Sequence, residues 1–146
     1  MTETGKGRYP KMAFRFRIEI EGITVAQASE VTGLSVETDI ETYEEGGNNL
    51  FVYQLPKRTK YVPLILRRGI TDADELWEWY DDVRSGHTFK RRSGAVVLLD
   101  DTGSDFRRWN FKDAFPVKWS GPELKTNGST IAFESVTLAH HGISRG

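Results

Sequence analysis

The chain contains no cysteine, so disulfides, thiolate nucleophiles and cysteine-based metal sites are all excluded. A reducing compartment is compatible with that absence. It also lacks any apolar run near the roughly 18 residues that a membrane helix needs. The opening MTETGKGRYPKM is polar with no apolar segment behind it, so a secretory signal is not expected. Charge of one sign is missing too: 20 Lys and Arg stand against 21 Asp and Glu, a formal net charge of −1. A dedicated nucleic-acid binder shows a strong basic excess instead. Histidine is scarce, with three in all. His140 and His141 are adjacent, and neighbours on a strand point to opposite faces, so they are poorly placed to share a metal. His87 is isolated, and no metal or other cofactor is expected. No Ser-His-Asp, H-E-x-x-H or C-x-x-C arrangement is present, and with it goes any clear catalytic constellation.

Helical periodicity is nearly absent as well; it occurs once, in TDADELWEWYDDVRSG, residues 71–86. At about 100° per residue Leu76, Trp77, Trp79, Tyr80 and Val83 fall on one side, a core-facing stripe. Asp74, Glu78, Asp81, Asp82 and Ser85 fill the other. Thr71 is placed to be the N-cap with Asp74 completing a capping box, and Gly86 suits a left-handed C-cap. The remaining chain reads as strand and turn. FRFRIEIEG alternates Phe14, Phe16, Ile18 and Ile20 with Arg15, Arg17, Glu19 and Glu21, a half-buried strand, and a short strand at Ile23–Val25 follows. From Leu34 to Tyr43, Leu34, Val36 and Ile40 share a face with Thr38 and Thr42, while Glu37, Asp39 and Glu41 line the other. Three acids along one face call for water or cationic neighbours. LFVYQL and YVPLILRR are further apolar runs, and Pro63 marks an edge or a bulge. AVVLLD turns through DDTGSD into FRRWNF as a hairpin. AFPVKWSGPEL follows, broken at Pro116. In TIAFESVTLAHH apolar residues fall on both faces, as expected of a central strand covered above and below. At 146 residues this makes one domain: mainly β, one helix laid on sheet, with residues 1–12 a flexible N-terminal arm and 13–146 the folded part.

Two loops invite chemistry. EEGGNN, Glu44, Glu45, Gly46, Gly47, Asn48 and Asn49, is rich in residues that tolerate positive φ, yet it has neither the spacing nor the strand–loop–helix setting of a phosphate loop. A contact loop is the better reading. Asp101-Thr102-Gly103 behind an apolar strand is how a homodimeric aspartic protease presents its carboxylate, but the same residues are what a hairpin turn demands. Basic clusters occur at Lys57, Arg58 and Lys60, at Arg67 and Arg68, at Lys90 to Arg92 and at Arg107 and Arg108. With the total charge balanced, they read as mates for acidic faces on a neighbouring chain.

Taken in order, the segments FRFRIEIEG, SEVTGLSVETDIETYEEGGNN, LPKRTKYVPLILRRGIT, LWEWYDDVRSG, VVLLDDTG, RWNFKDAFPVKWSGPEL and IAFESVTLAHHGI resemble the inner tube proteins of contractile phage tails and contractile injection systems. The resemblance runs from about Ala13 to Ile143. It implies two packed antiparallel sheets forming a small barrel or sandwich with one flanking helix, the phage tail tube and Hcp-like fold. It implies homohexameric rings stacked into a hollow tube, with a sheath outside, baseplate and terminator or cap proteins at the ends, and tape measure, cargo or DNA in the lumen. On this reading the protein is a structural conduit and no enzyme. It is assembled in the bacterial cytoplasm and ends in a phage tail or in an extracellular or membrane-anchored particle. A baseplate tube initiator of the same family is the alternative. Glu44 to Asn49 with Lys57, Arg58 and Lys60 are then candidates for subunit and ring contacts. Glu37, Asp39 and Glu41, or Arg15 and Arg17, are candidates for the lumen.

Overall fold

The computed structural model describes residues 15–146 apart from 26, 27, 45, 48, 49, 87–89, 127, 129 and 130. The expected N-terminal arm and Phe14 therefore lie outside the described residues. Ten strands and one helix follow in order: β1 Arg15–Ile20, β2 Ile23–Val25, β3 Ala28–Thr32, β4 Val36–Tyr43, β5 Tyr53–Tyr61, β6 Leu64–Gly69, α1 Glu75–Ser85, β7 Arg92–Leu99, β8 Asp105–Ser120, β9 Phe133–Ala139 and β10 Ile143–Arg145. All ladders are antiparallel. One sheet path runs β2-β1-β7-β8-β9-β6-β3 with β10 also on β8, and β4 and β5 form a separate two-stranded sheet.

The path folds back on itself because β8 bends. Its first part pairs with β7 as far as Ala114, and its second, from Phe115, pairs with β9. Between them Asp113 takes φ 54°, an unusual value for a residue with a side chain. It is held there from several sides. Its N–H donates to Ser93 Oγ at 3.2 Å, and its carbonyl accepts from Arg91 at 3.3 Å. Two half-sheets result, β2-β1-β7 with the first part of β8, and the second part of β8 with β9-β6-β3. Their facing sides supply the core: Ile18, Ile20 and Val96 from the first, Leu66, Val136 and Leu138 from the second. The expected pair of packed sheets is what the chain forms, and β2 and β3 end the path without pairing to each other.

The helix enters this core with Leu76 and Trp79, both buried. Trp77 stacks edge-on with Trp119 at 4.9 Å, and the Trp79 indole N–H donates to the Lys90 carbonyl at 3.0 Å. The helix begins later than its sequence suggests. Asp74 is the N-cap residue and makes no side-chain capping bond, while Thr71 Oγ1 instead accepts from the Ala73 N–H at 3.2 Å. That bond closes a local turn ahead of the helix. Gly86 ends it at φ 75°, as expected.

Three other expectations are corrected. A strand, β3, forms in ASEVT, where the sequence showed only a polar lead-in. FRRWNF and AFPVKWS are one bent strand rather than two, since a bulge between Pro116 and Lys118 absorbs the proline. β9 is central in its sheet but covered on one side only: Val136 and Leu138 are buried while Ile131 is 74% exposed just ahead of it.

Candidate subunit interface

The body of the domain is complete without β4 and β5. These strands follow β3 and precede β6, so they continue the β3–β6 pair beyond its end. The chain breaks out of the sheet at Gly33 and Pro63. Gly33 has φ +96°, and a Cβ there would lie 2.1 Å from the Pro63 carbonyl oxygen. Only glycine fits this bend. On the far side the pair resumes with Val36 opposite Tyr61 and continues to Tyr43 opposite Tyr53, with a bulge between Thr38 and Ile40.

Register sorts the hairpin into two faces. One carries Val36, Tyr61, Thr38, Thr59, Ile40 and Pro56. The other carries Glu37 opposite Lys60, then Asp39 and Glu41, and Tyr43 opposite Tyr53. Lys60 Nζ sits 3.1 Å from Asp39, so the acidic row is partly neutralised from within. Neither face is covered: Ile40 is 56% and Val36 52% exposed, and beyond β4 the tip leaves Leu50 90% exposed. A lone two-stranded hairpin is marginal in water, and this one leaves Val36, Ile40 and Pro56 on one face without cover among the described residues. Its root is tied to the body. His140 Nε2 donates to the Val62 carbonyl at 2.9 Å, its Nδ1 accepts from the Gly142 N–H at 3.2 Å, and the ring packs 5.8 Å from Tyr61. His141 turns the other way, to Asp113 at 3.4 Å. The adjacent histidines thus serve separate contacts, and among the described residues no group of three or more His, Cys, Asp or Glu could hold a metal.

The candidate contact residues fall on this arm. Lys57, Arg58 and Lys60 lie on β5, and Glu44, Gly46 and Gly47 lie at the exposed end of the hairpin. Glu45, Asn48 and Asn49 are outside the described residues. Of the lumen candidates, Glu37, Asp39 and Glu41 share the charged hairpin face. Arg15 and Arg17 lie elsewhere, on the open side of the first half-sheet.

That open side is closed by charge. Arg17 Nη2 lies 2.9 Å from Glu19 and 3.0 Å from Asp105, and Arg108 Nη2 lies 2.7 Å from Glu19. By register Arg17 and Arg108 flank Val97, and Glu19 and Asn110 flank Ala95. Both small residues are fully buried, so the guanidinium and carboxylate stems roof the middle strand. Bonds from Arg108 and then Arg17 hold the Glu19 carboxyl below its ordinary range. A carboxyl depressed in the folded state adds stability above its unfolded pKa, and that gain is lost as pH falls through the folded value. Glu19→Gln is therefore expected to be less stable than the parent at neutral pH. The difference should shrink to nothing on acidification through the carboxylate range, as urea unfolding at a series of pH values would record.

Free sheet edges are a feature the sequence could not place. β9 and β10 run along one edge of β8 and β7 along the other. Pairing of β7 with β8 ends at Arg92 opposite Ala114, so residues 115–120 have no strand on that edge among the described residues. β3, at the end of the path, also has a bare edge among the described residues. Open edges of this kind are templates for another chain.

The Asp101-Thr102-Gly103 motif is a hairpin turn. Asp100 Oδ1 accepts from the N–H groups of Thr102 and Ser104 at 3.0 and 2.9 Å, and from Thr102 Oγ1 at 2.7 Å. Gly103 supplies φ 85°. The carboxylate nearest the strand is thereby spent on closing the turn between β7 and β8.

The family model described as T4-like virus tail tube protein gp19 matches residues 12–144. A chain of the extended sheath–tube complex of an extracellular contractile injection system, PVC, superposes with a TM-score of 0.87 at 22% identity, covering 100% of this chain and 97% of that one. A chain of the baseplate of the anti-feeding prophage gives 0.80 at 20% identity, covering 94% and 95%. Hcp1 from Flavobacterium johnsoniae gives 0.52 at 19% identity, covering 89% and 94%. At these identities the superpositions establish a shared fold. No match was found among curated proteins.

Proposed function

The chain belongs to the T4-like virus tail tube protein gp19 family, and from that premise we propose that it is the repeating subunit of the inner tube of a contractile injection system or contractile phage tail. Six copies close into a ring, and rings stack into a hollow conduit. The observation that carries this reading is the conjunction of an amphipathic hairpin exposed on both faces with two sheet edges of one four-stranded half-sheet that are bare among the described residues. Pairing β3 of one copy with the free edge of β8 in the next removes both edges. A contact between two different surfaces that closes on itself gives a ring. The hairpin then finds the apolar cover it lacks on an adjoining copy. Glu44 to Asn49 and Lys57, Arg58 and Lys60 belong to those contacts. A sheath outside, with baseplate and terminator or cap proteins at the ends, are the expected partners. The tape measure and cargo or DNA are the expected contents. Assembly takes place in the bacterial cytoplasm. A tube initiator at the baseplate is the second reading, favoured by the superposition on the anti-feeding prophage baseplate chain.

The decisive experiment is negative-stain microscopy of the concentrated protein, alone and co-expressed with its sheath protein. Stacked rings or tubes are expected, and monomers under every condition would overturn the proposal. Gly47 offers a finer test. It has φ +91°, and no described atom lies within 4 Å of where a Cβ would sit. Gly47→Val strains the tip, but the tip is remote from the core. Assembly is expected to suffer while thermal unfolding of the domain barely moves; equal loss of both would count against the contact.

A further inference from the structure

The hairpin has no core of its own, since β4 and β5 pack chiefly on each other. Its direction relative to the body is set at its root, where Tyr61, His140 and Gly142 meet. The Tyr61 ring lies over Gly142, and a Cβ on that glycine would stand 3.5 Å from it. His140, just past the end of β9, reaches to both sides of this contact, and the atoms it meets fix its protonation. The Val62 carbonyl can only accept, so Nε2 carries a hydrogen. The Gly142 N–H can only donate, so Nδ1 presents a lone pair. Only the neutral ring, in one tautomer, makes both bonds.

We propose that His140 is a proton-operated latch, which holds the root of the hairpin when neutral and releases it when protonated. A proton on Nδ1 sets two N–H groups against each other across 3.2 Å. The backbone is not free to turn away, because it is laddered to β8. The His141 N–H donates to the Lys112 carbonyl at 2.9 Å, and the Lys112 N–H donates to the Gly142 carbonyl at 3.2 Å. The ring has to move instead, and the Val62 bond goes with it. The charged and titratable groups around the two histidines come from several elements. Tyr61 comes from β5, Lys112 and Asp113 from β8, Arg91 from ahead of β7 and Glu21 from after β1. Asp113 lies 3.4 Å and Arg91 3.2 Å from His141, so a proton on that ring is drawn by one and opposed by the other. Glu21 and Lys112 line a groove with Tyr61 and His141. Among the described residues no carboxylate is within ion-pair distance of His140 to offset a charge there. The hold on the hairpin is therefore present above the imidazole range and lost as pH falls through it. Its consequence for assembly rests on the tube reading above, and the latch itself does not: tubes should be favoured on the neutral side and weakened on the acid side.

The test starts with the full chain, kept dilute so that it does not assemble. Nitrogen–proton NMR correlation of the imidazoles reads the tautomer: His140 should be the Nε2–H form at neutral pH, and an Nδ1–H form overturns the latch. Hydrogen exchange of residues 36–43 and 53–61 is then compared at about pH 8 and about pH 5.5, toward the two ends of the imidazole range, with the intrinsic effect of pH removed by an unfolded control. Acid is expected to cut hairpin protection roughly fivefold, the equivalent of one hydrogen bond. His140→Gln keeps a donor toward Val62 and His140→Asn keeps an acceptor toward Gly142, but neither takes up a proton, so both should lose the response. His141→Asn should retain it. Unchanged hairpin protection in the parent, or a response that survives in both His140 variants, overturns the latch. Microscopy of concentrated protein at the same two pH values tests the consequence. The parent should form fewer tubes at the lower pH, and His140→Gln should form them equally at both. Equal tube formation by the parent at both overturns the link to assembly. Absence of tubes at either pH overturns the tube reading, and the exchange result then decides the latch alone.

Discussion

Glu134→Ala is expected to cost about 3–5 kcal/mol of folding stability, the usual penalty for stranding a buried charge. Arg68 is 3% and Glu134 6% exposed, and they meet at 2.7 Å across neighbouring strands β6 and β9. Each does more than neutralise the other. The second carboxylate oxygen of Glu134 accepts from the Trp119 indole at 3.0 Å, and Arg68 Nη2 donates to the Ala73 carbonyl at 2.8 Å, just ahead of the helix. The pair therefore ties β6, β8 and β9 to the start of α1. Removing the carboxylate alone leaves a buried guanidinium whose remaining anion is Glu75, 3.7 Å away and partly exposed, and an unpaired indole N–H. Replacing both partners by apolar residues, Arg68→Met with Glu134→Leu, removes the charge problem and is expected to recover most of the loss. It still leaves Trp119 without its acceptor, at about 1–3 kcal/mol. Urea unfolding of the two single variants and the double decides the matter. Strict additivity of the single losses would show that the two groups act independently.

This pair marks where sequence reading ends. Arg67 and Arg68 read together as one basic cluster, yet strand alternation sends them to opposite sides. Arg67 goes to the open face and Arg68 to a carboxylate 66 residues away. Nothing local announces such a partner. Elements with strong periodicity were legible: β1, the β7–β8 hairpin and the apolar stripe of α1. Elements that broke a local rule were not. β3 has too few apolar residues to show alternation, because one edge and one face are open. β8 reads as two strands because Asp113 and Pro116 look like stops, and only tertiary contacts hold Asp113 at positive φ within the strand. β9 looked apolar on both faces because Ile131 and Phe133 were counted as core. Ile131 precedes the strand, and Phe133 serves as a platform for Arg67. For β4 the alternation was visible, but β5 was not: PKRTK reads as a break between the apolar runs LFVYQL and YVPLILRR, yet it lies inside the strand Tyr53–Tyr61. A sequence also carries no sign that both faces of a hairpin stand clear of their own domain.

That separation has a sharp consequence at Val36 and Ile40. In an ordinary half-buried strand, replacing two apolar residues by polar ones would unfold the protein. Here the double variant Val36→Asn with Ile40→Asn is expected to change domain stability by no more than about 0.5 kcal/mol, the range of surface substitutions. The residues are 52% and 56% exposed, and what burial they have lies within the hairpin, not against the core, so global unfolding of the domain is little affected. The assembled state is different. Full burial of such side chains is worth about 1.5–3 kcal/mol each, and roughly half remains to be gained when a second copy covers them. The two together then contribute on the order of 2 kcal/mol to each contact. In the proposed ring every copy makes that contact, so the loss multiplies and assembly should fail outright. Thermal unfolding and microscopy on the same preparation separate the alternatives. A folded chain that no longer forms rings places the apolar face at a contact between copies. A variant that assembles as well as the parent would mean that the row stays solvated in the tube, and the hairpin would have to be fixed by its charged face, through Glu37, Glu41 and the basic residues of β5.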